Sequence, residues 1–288
     1  MKLLMLKSLM IISLLSSSLY ANSYDAKILK YEKKRVSHLL ARIQGKLKAV
    51  NIALKKNIKQ DGWIGYVFTL DMKIKGKVVS QKDFLFAKGN LIAPELIDLK
   101  TNKSYKDQMF PTLSIKFYNK QHLIAGRSNA KHSLVLFSDP LCPICLDEVP
   151  NLIKTVKKHP TLFALYYYPM PLDMHPTAKT FVKAAYIAHK QGIKDIDYKL
   201  YNYNRIQFNG FKPFYDQYKE KNNQKALDYF NKYFKTNITM SEIDEPKWET
   251  KLVKDLNMAE DAFAQGTPTL YLDGIIDKSR EKYKKYLK

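Results

Sequence analysis

The chain has 288 residues, 49 lysines and arginines against 27 aspartates and glutamates, a formal net charge of +22, and two cysteines. That length suits two modest domains. The basic residues are spread along the chain among Asn, Ile and Tyr without an arginine-rich block, which describes a solvated surface and argues against a nucleic-acid partner. Two cysteines are too few for a disulfide framework or a four-thiolate zinc site, and no closely spaced histidine pair completes a metal set.

In chain order, Met1 to Lys7 is a basic start, Ser8 to Leu19 is apolar and small, and Tyr20-Ala21-Asn22 offers a small residue at a cut. Residues 1–21 therefore predict a cleavable secretory signal peptide and a periplasmic protein. Leu19, where Ala is more usual, keeps a retained anchor as the alternative. Tyr24 to Leu54 carries Ile28, Leu29, Val36, Leu39, Leu40, Ile43, Leu47 and Val50, a spacing that predicts one or two amphipathic helices broken near Gly45. From Trp63 the period becomes two: Ile64, Tyr66, Phe68, Leu70, Met72 and Ile74 predict a half-buried strand turned at Lys75-Gly76-Lys77. Further strands are predicted at Asp83–Ala87 and around the turns Lys88-Gly89-Asn90 and Thr101-Asn102-Lys103. Residues 22–117 thus read as a small α+β domain without cysteine or clustered His, Asp or Glu. Gly126, Ser128 and Asn129 between apolar runs place a linker at 118–131.

Residues 132–288 carry the chemistry. Leu134 to Phe137 reads as a central strand, Ser138 to Leu141 as a turn, and Leu146, Val149, Leu152, Ile153 and Val156 recur at helical spacing. Cys142 then stands at a helix start, where unpaired amides and the helix dipole favour an anion. It is the expected nucleophilic, more exposed thiol, with Cys145 one turn on as the resolving thiol. Pro143 suits the first helical position. Downstream come a strand at Thr161–Tyr168, a helix at Pro176–Lys190, and a helical, aromatic stretch from Tyr198 to Lys251 including Phe208, Phe211, Phe214, Tyr215 and Tyr218. Its rings are expected mainly in helical packing, some on a client-facing surface. A helix at Ser241–Ala264, strands at Leu270–Leu272 and Ile275–Ile276, and a closing helix at Ser279–Leu287 end the chain. His175 reads as a cap or surface residue.

The segment Phe137-Ser138-Asp139-Pro140-Leu141-Cys142-Pro143-Ile144-Cys145, with Gly266-Thr267-Pro268-Thr269-Leu270-Tyr271-Leu272 and with Pro150 inside the active-site helix, resembles the thioredoxin-fold Dsb proteins, DsbC and DsbG above all. The resemblance implies an α+β dimerisation-type domain followed by a thioredoxin-fold α/β domain with a helical insertion at about 173–262. It implies Cys142 and Cys145 as the catalytic dithiol, with Pro143, Ile144, Thr267 and a cis Pro268 supporting the site and docking substrate. No cofactor beyond the Cys142–Cys145 disulfide is implied. The expected partners are unfolded or misoxidised exported proteins, a membrane-bound Dsb redox protein and a second copy of the chain. Disulfide isomerase or reductase is the leading expectation. A DsbA-like oxidase and a chaperone-like binder with secondary redox activity are the alternatives. Leu136 stands six residues before Cys142, where thioredoxin carries a buried acid, and that departure points to a Dsb protein over a cytosolic reductase.

Overall fold

The structure is a computed structural model that describes residues 23–58, 62–210 and 222–287, with the main chain alone at 205–210. Residues 1–21, expected as a signal peptide, the side chain of Phe208, and Phe211, Phe214, Tyr215 and Tyr218 lie outside the described residues. The chain forms two compact units, one ending at Met109 and the other beginning at Phe110.

In the first unit a helix over residues 23–41 (α1) packs on an antiparallel sheet in the order β1 (Lys46–Asn57), β2 (Ile64–Ile74), β3 (Lys77–Lys88) and β4 (Leu91–Ala93). Ile28, Val36 and Leu40 of α1 meet Tyr66, Phe68, Leu70 and Met72 of β2 and Leu85 and Ala87 of β3. A 3.6-residue stripe therefore faces a two-residue stripe, and both leave water together. The helix expected to continue to Leu54 is instead β1. Val50 and Ile52 are β-branched, half-buried, and pair with Leu70 and Phe68. The chain turns after α1 at Gln44, whose φ is 54°. Glu32, fully buried, is held by Arg35 at 2.7 and 2.9 Å, and Arg35 reaches on to Asp83 of β3. Lys75 and Gly76 both have positive φ, the backbone of a tight hairpin. A two-stranded ribbon, β5 (Ile97–Asp98) with β6 (Lys103–Ser104), turns with Asn102 at φ 52°.

The second unit is built on a five-stranded sheet in the order β11 (Ile275–Ile276), β10 (Thr269–Leu272), β8 (His132–Ser138), β9 (Phe163–Pro169) and β7 (Leu123–Gly126). Strands β8 and β9 run parallel and the other neighbours antiparallel. The helix α2 (Pro143–Lys158) covers the face of Leu134, Leu136, Leu165 and Tyr167. Ala259, Ala262 and Phe117 cover the face of Val135, Phe137, Tyr166 and Tyr168. Burial on both faces explains why β8 and β9 read as continuous apolar runs without alternation.

Part of the stretch expected as a linker, 118–131, is sheet. Leu123, Ile124 and Ala125 add an edge strand to β9, with Ala125 opposite Leu165 and Gly126 opposite Ala164. Gly126 has a φ of 80°, and a Cβ there would stand 1.9 Å from the Phe163 carbonyl oxygen, so only glycine lets the edge close. The helical layer comprises α3 (Ala178–Lys190), α4 (Ile196–Gly210) and the helices Asn223–Phe234, Met240–Ile243 and Pro246–Asp261. The single helix expected at Ser241–Ala264 is two because Pro246, without an amide donor, starts a new helix. The closing helix is 3-10 over Lys282–Leu287.

Candidate active site

Strand β8 ends at Ser138 and α2 begins at Pro143, so Asp139 to Cys142 form the turn between them. Cys142 is the N-cap of α2, with extended backbone at φ −70° and ψ 123°, and Pro143 takes the first helical position. Its carbonyl accepts from Leu146 N at 2.9 Å and its amide donates to the Asp139 carbonyl at 3.2 Å. Strand β10 pairs with β8 so that Thr269 lies opposite Phe137. That register carries Thr267 and the cis Pro268 to the cysteine turn, where the Cys142 thiol donates to the Thr267 carbonyl at 3.3 Å.

Both cysteines are free thiols. Cys145 is 0 % exposed and Cys142 only 6 %, less than a helix-start position led one to expect. Ile144 between them is 51 % exposed and is the face the motif presents to solvent. The two thiols differ sharply in acidity. Hydrogen bonding from the Cys145 side chain lowers the Cys142 thiol to about 6 against the cost of burial, with help from the Thr267 side chain and the Cys145 and Ile144 amides. Burial first, then the neighbouring Cys142, pushes the Cys145 thiol far up. The expected roles thus rest on different depths along one helical turn.

Two acids follow the pair, and Asp147 is exposed. Glu148 receives a forked pair of hydrogen bonds from Arg280 at 2.6 and 2.8 Å, which neutralises it. Leu136 is 1 % exposed and pairs with Leu270, so the sheet offers Cys145 no carboxylate from that position.

Asp139 escaped the sequence reading, and His175, read there as a cap or surface residue, is instead its largely buried partner. The Asp139 side chain is fully buried and accepts from Leu141 N at 2.7 Å, Leu172 N at 2.7 Å and His175 Nδ1 at 2.8 Å. It ties the cysteine turn to the loop that leads into α3. Burial opposes charge on His175, but hydrogen bonding and attraction from Asp139, with Cys142 adding, leave its pKa raised. The available signal was an acid directly before Pro140 in an otherwise apolar run, which reads equally well as an ordinary turn residue. Of the aromatic stretch, Tyr201 and Phe230 are fully buried and Tyr233 is 39 % exposed. Core packing claims the first two.

A family model described as thioredoxin matches residues 118–288. No curated protein matches the chain. Solved structures with a similar fold include a thioredoxin-like oxidoreductase from Silicibacter pomeroyi DSS-3, at 17 % identity and a TM-score of 0.42, covering 55 % of this chain and 87 % of that one. BdbD from Bacillus subtilis matches at 19 % identity and a TM-score of 0.45, covering 62 % of this chain and 93 % of that one. DsbA2 from Pseudomonas aeruginosa matches at 20 % identity and a TM-score of 0.39, covering 58 % of this chain and 94 % of that one.

Proposed function

This chain belongs to the thioredoxin family, and from that premise we propose that it is an exported, periplasmic thiol:disulfide oxidoreductase of the DsbC and DsbG kind, acting as a disulfide isomerase or reductase on misbridged proteins. The observation that carries the reading is the pair of thiols one helical turn apart with opposed acidities, Cys142 held to about 6 and Cys145 buried and pushed up. Cys142 thiolate attacks a client disulfide, forming a mixed disulfide and releasing one client thiolate. The client's own thiol then displaces Cys142, which is isomerisation. Alternatively Cys145, losing its proton, attacks the Cys142 sulfur, forms the Cys142–Cys145 disulfide and frees the second client thiol, which is reduction.

Thr267 and Pro268 border the thiol that attacks, which suits an extended client chain laid against them as an added strand. Ile144 supplies exposed apolar surface beside it. The first unit, with a paired and helix-covered sheet and no reactive cluster among the described residues, serves assembly: two copies would hold two Cys142 sites for one client. A mature full-length protein that sediments as a monomer at micromolar concentration would overturn the dimer.

One observation favours an oxidase in place of an isomerase. A thiolate stabilised this far is a good leaving group, which makes its disulfide oxidising. The redox state of Cys142 and Cys145 in the intact periplasm decides between them. A pair found mainly reduced supports isomerase or reductase, and a pair found mainly oxidised supports oxidase. Cys145→Ser should accumulate mixed disulfides through Cys142 with exported proteins. A variant that captures none defeats the thiol-exchange reading.

A further inference from the structure

The turn that delivers Cys142 contains one peptide that its own closing bond leaves unfixed. The Cys142 amide donates to the Asp139 carbonyl at 3.2 Å, which closes residues 139–142 as a β-turn with Pro140 and Leu141 at its centre. Turns of types I and II share that closing bond and differ in how the central peptide is oriented. Here the central peptide joins Pro140 to Leu141, and two buried side chains hold it, one by its N–H and one by its carbonyl. Asp139 Oδ1 accepts from Leu141 N at 2.7 Å. Asn204 Nδ2 donates to the Pro140 carbonyl at 2.8 Å, from 64 residues further along the chain.

Asn204 is 1 % exposed and lies on α4 one turn after Tyr201, which packs in the cluster that holds Cys142 and Cys145. Leu141 belongs to the apolar cluster that includes Leu200 of the same helix. A carbonyl only accepts, so the NH2 end of Asn204 must face Pro140. Its other end, Oδ1, has no hydrogen-bond partner among the described residues. An amide buried with one end unanswered costs stability that an apolar side chain of similar size would not. What the amide supplies in return is a donor at one place, the carbonyl two residues before Cys142.

We propose that Asn204 is a positioning residue for thiol exchange: by holding the Pro140 carbonyl it fixes the plane of the Pro140–Leu141 peptide, and with it the helix cap formed by Cys142. The inference rests on the thiol-exchange reading above and adds to it a residue from the helical layer. Its action is geometric. Cys142 is held through its carbonyl by Leu146 N at 2.9 Å and through its amide by the turn. A turn that rocks about its central peptide carries the sulfur off the Thr267 carbonyl, 3.3 Å away, and off the Ile144 and Cys145 amides that favour the thiolate. Asn204 acts on the sulfur through this backbone, so its loss raises the energy of the thiolate more than that of the thiol.

The test follows iodoacetamide alkylation of Cys142 in the reduced full-length protein by mass spectrometry, from about pH 4 to about pH 9. Asn204→Leu keeps the bulk and removes the donor; Asn204→Ala removes both and cannot overpack. We expect each to be alkylated about threefold or more slowly than wild type at about pH 5, the equivalent of one lost hydrogen bond. At about pH 8, where the thiol is ionised in every variant, the rates should converge. In Asn204→Asp burial keeps the carboxyl protonated in acid, so its O–H replaces the amide donor and restores the wild-type rate at about pH 5. Urea unfolding of the same proteins measures any packing loss separately. Asn204→Leu and Asn204→Ala that lose stability yet keep the wild-type pH profile would overturn the proposal. So would Asn204→Asp that is as slow at about pH 5 as the variants without a donor. Wild-type protein whose alkylation shows no midpoint near 6 would break the thiolate reading itself, whatever the variants do.

Discussion

The two units bury polar groups in different ways. In the first, buried Glu32 is matched by Arg35, which is matched by Asp83. In the second, the unpartnered buried side-chain atoms among the described residues gather: Ser138 Oγ, Thr177 Oγ1, Asn204 Oδ1, Trp248 Nε1 and Thr267 Oγ1. Ser138 and Thr267 are the two of these whose side chains bear on the cysteines. A unit that only holds a shape satisfies its donors and acceptors within itself. A unit that must accommodate thiol, thiolate and disulfide in turn keeps hydroxyls in reserve, because a donor needed by the thiolate is idle beside the thiol.

The sharpest way to break that comparison is to remove the chemistry. Cys142→Ser should abolish dithiol exchange, and Cys145→Ser should leave alkylation of Cys142 intact, both read by mass spectrometry. Labelling of Cys145 ahead of Cys142 at mildly acidic pH would reverse the assignment.

The next largest effect is on pH dependence. Cys142 titrates at about 6 where an ordinary cysteine titrates at 9.0, which enriches the thiolate about 10³-fold on the acid side. Iodoacetamide alkylation should therefore rise through a midpoint near 6. The same shift links to stability. A depressed pKa stabilises the folded reduced protein above the unfolded value, and that stability is lost as pH falls through the folded value. Urea unfolding in reductant should thus show stability growing from about pH 6 to about pH 9. Above that, Cys145 has the opposite sign: its raised pKa withholds an ionisation the unfolded chain enjoys, and stability should fall again.

Asp139→Ala should cost about 3–5 kcal/mol, since it strands His175 and two amides inside the unit. It should also loosen the cysteine turn and slow Cys142 alkylation. Glu32→Ala should cost about 1–3 kcal/mol by leaving Arg35 half-partnered, without change in thiol kinetics. A change in alkylation rate from Glu32→Ala would show that the units are not chemically separate. The smallest effect is expected of Arg280→Ala. The part-exposed Arg280–Glu148 pair is worth less than about 1 kcal/mol, and thermal unfolding should barely register its loss.

Much of the fold was legible in residue spacing. The strand at Ile64–Ile74, the turn at Lys75-Gly76, the helix after Cys142 and the paired strands ending at Leu272 and beginning at Ile275 all sit where period and turn chemistry put them. Misreadings came where local signals are weak or shared. Residues 46–57 carry lysines at both ends and apolar residues at 47, 49, 50, 52, 53 and 54, so their apolar positions fit a helix nearly as well as a strand, and pairing with β2 decided it. Residues 123–126 are too short to announce themselves and became a strand because β9 had an open edge. The site divided along the same line. The cysteines and the Thr-Pro step are marked by spacing, whereas Asp139 and His175 come together from separate elements.

By itself, then, the sequence determined that two thiols one turn apart would share a helix start, because 3.6 residues per turn and a proline at the first position settle that locally. Only the tertiary structure decided which groups surround them. The parallel register of β8 and β9, the return of β10 and the packing of α4 on α2 bring residues up to 125 positions apart in sequence to one thiol. Acidity and proton access depend on those distances and on exclusion of water, which follow from the closed fold and not from neighbours along the chain.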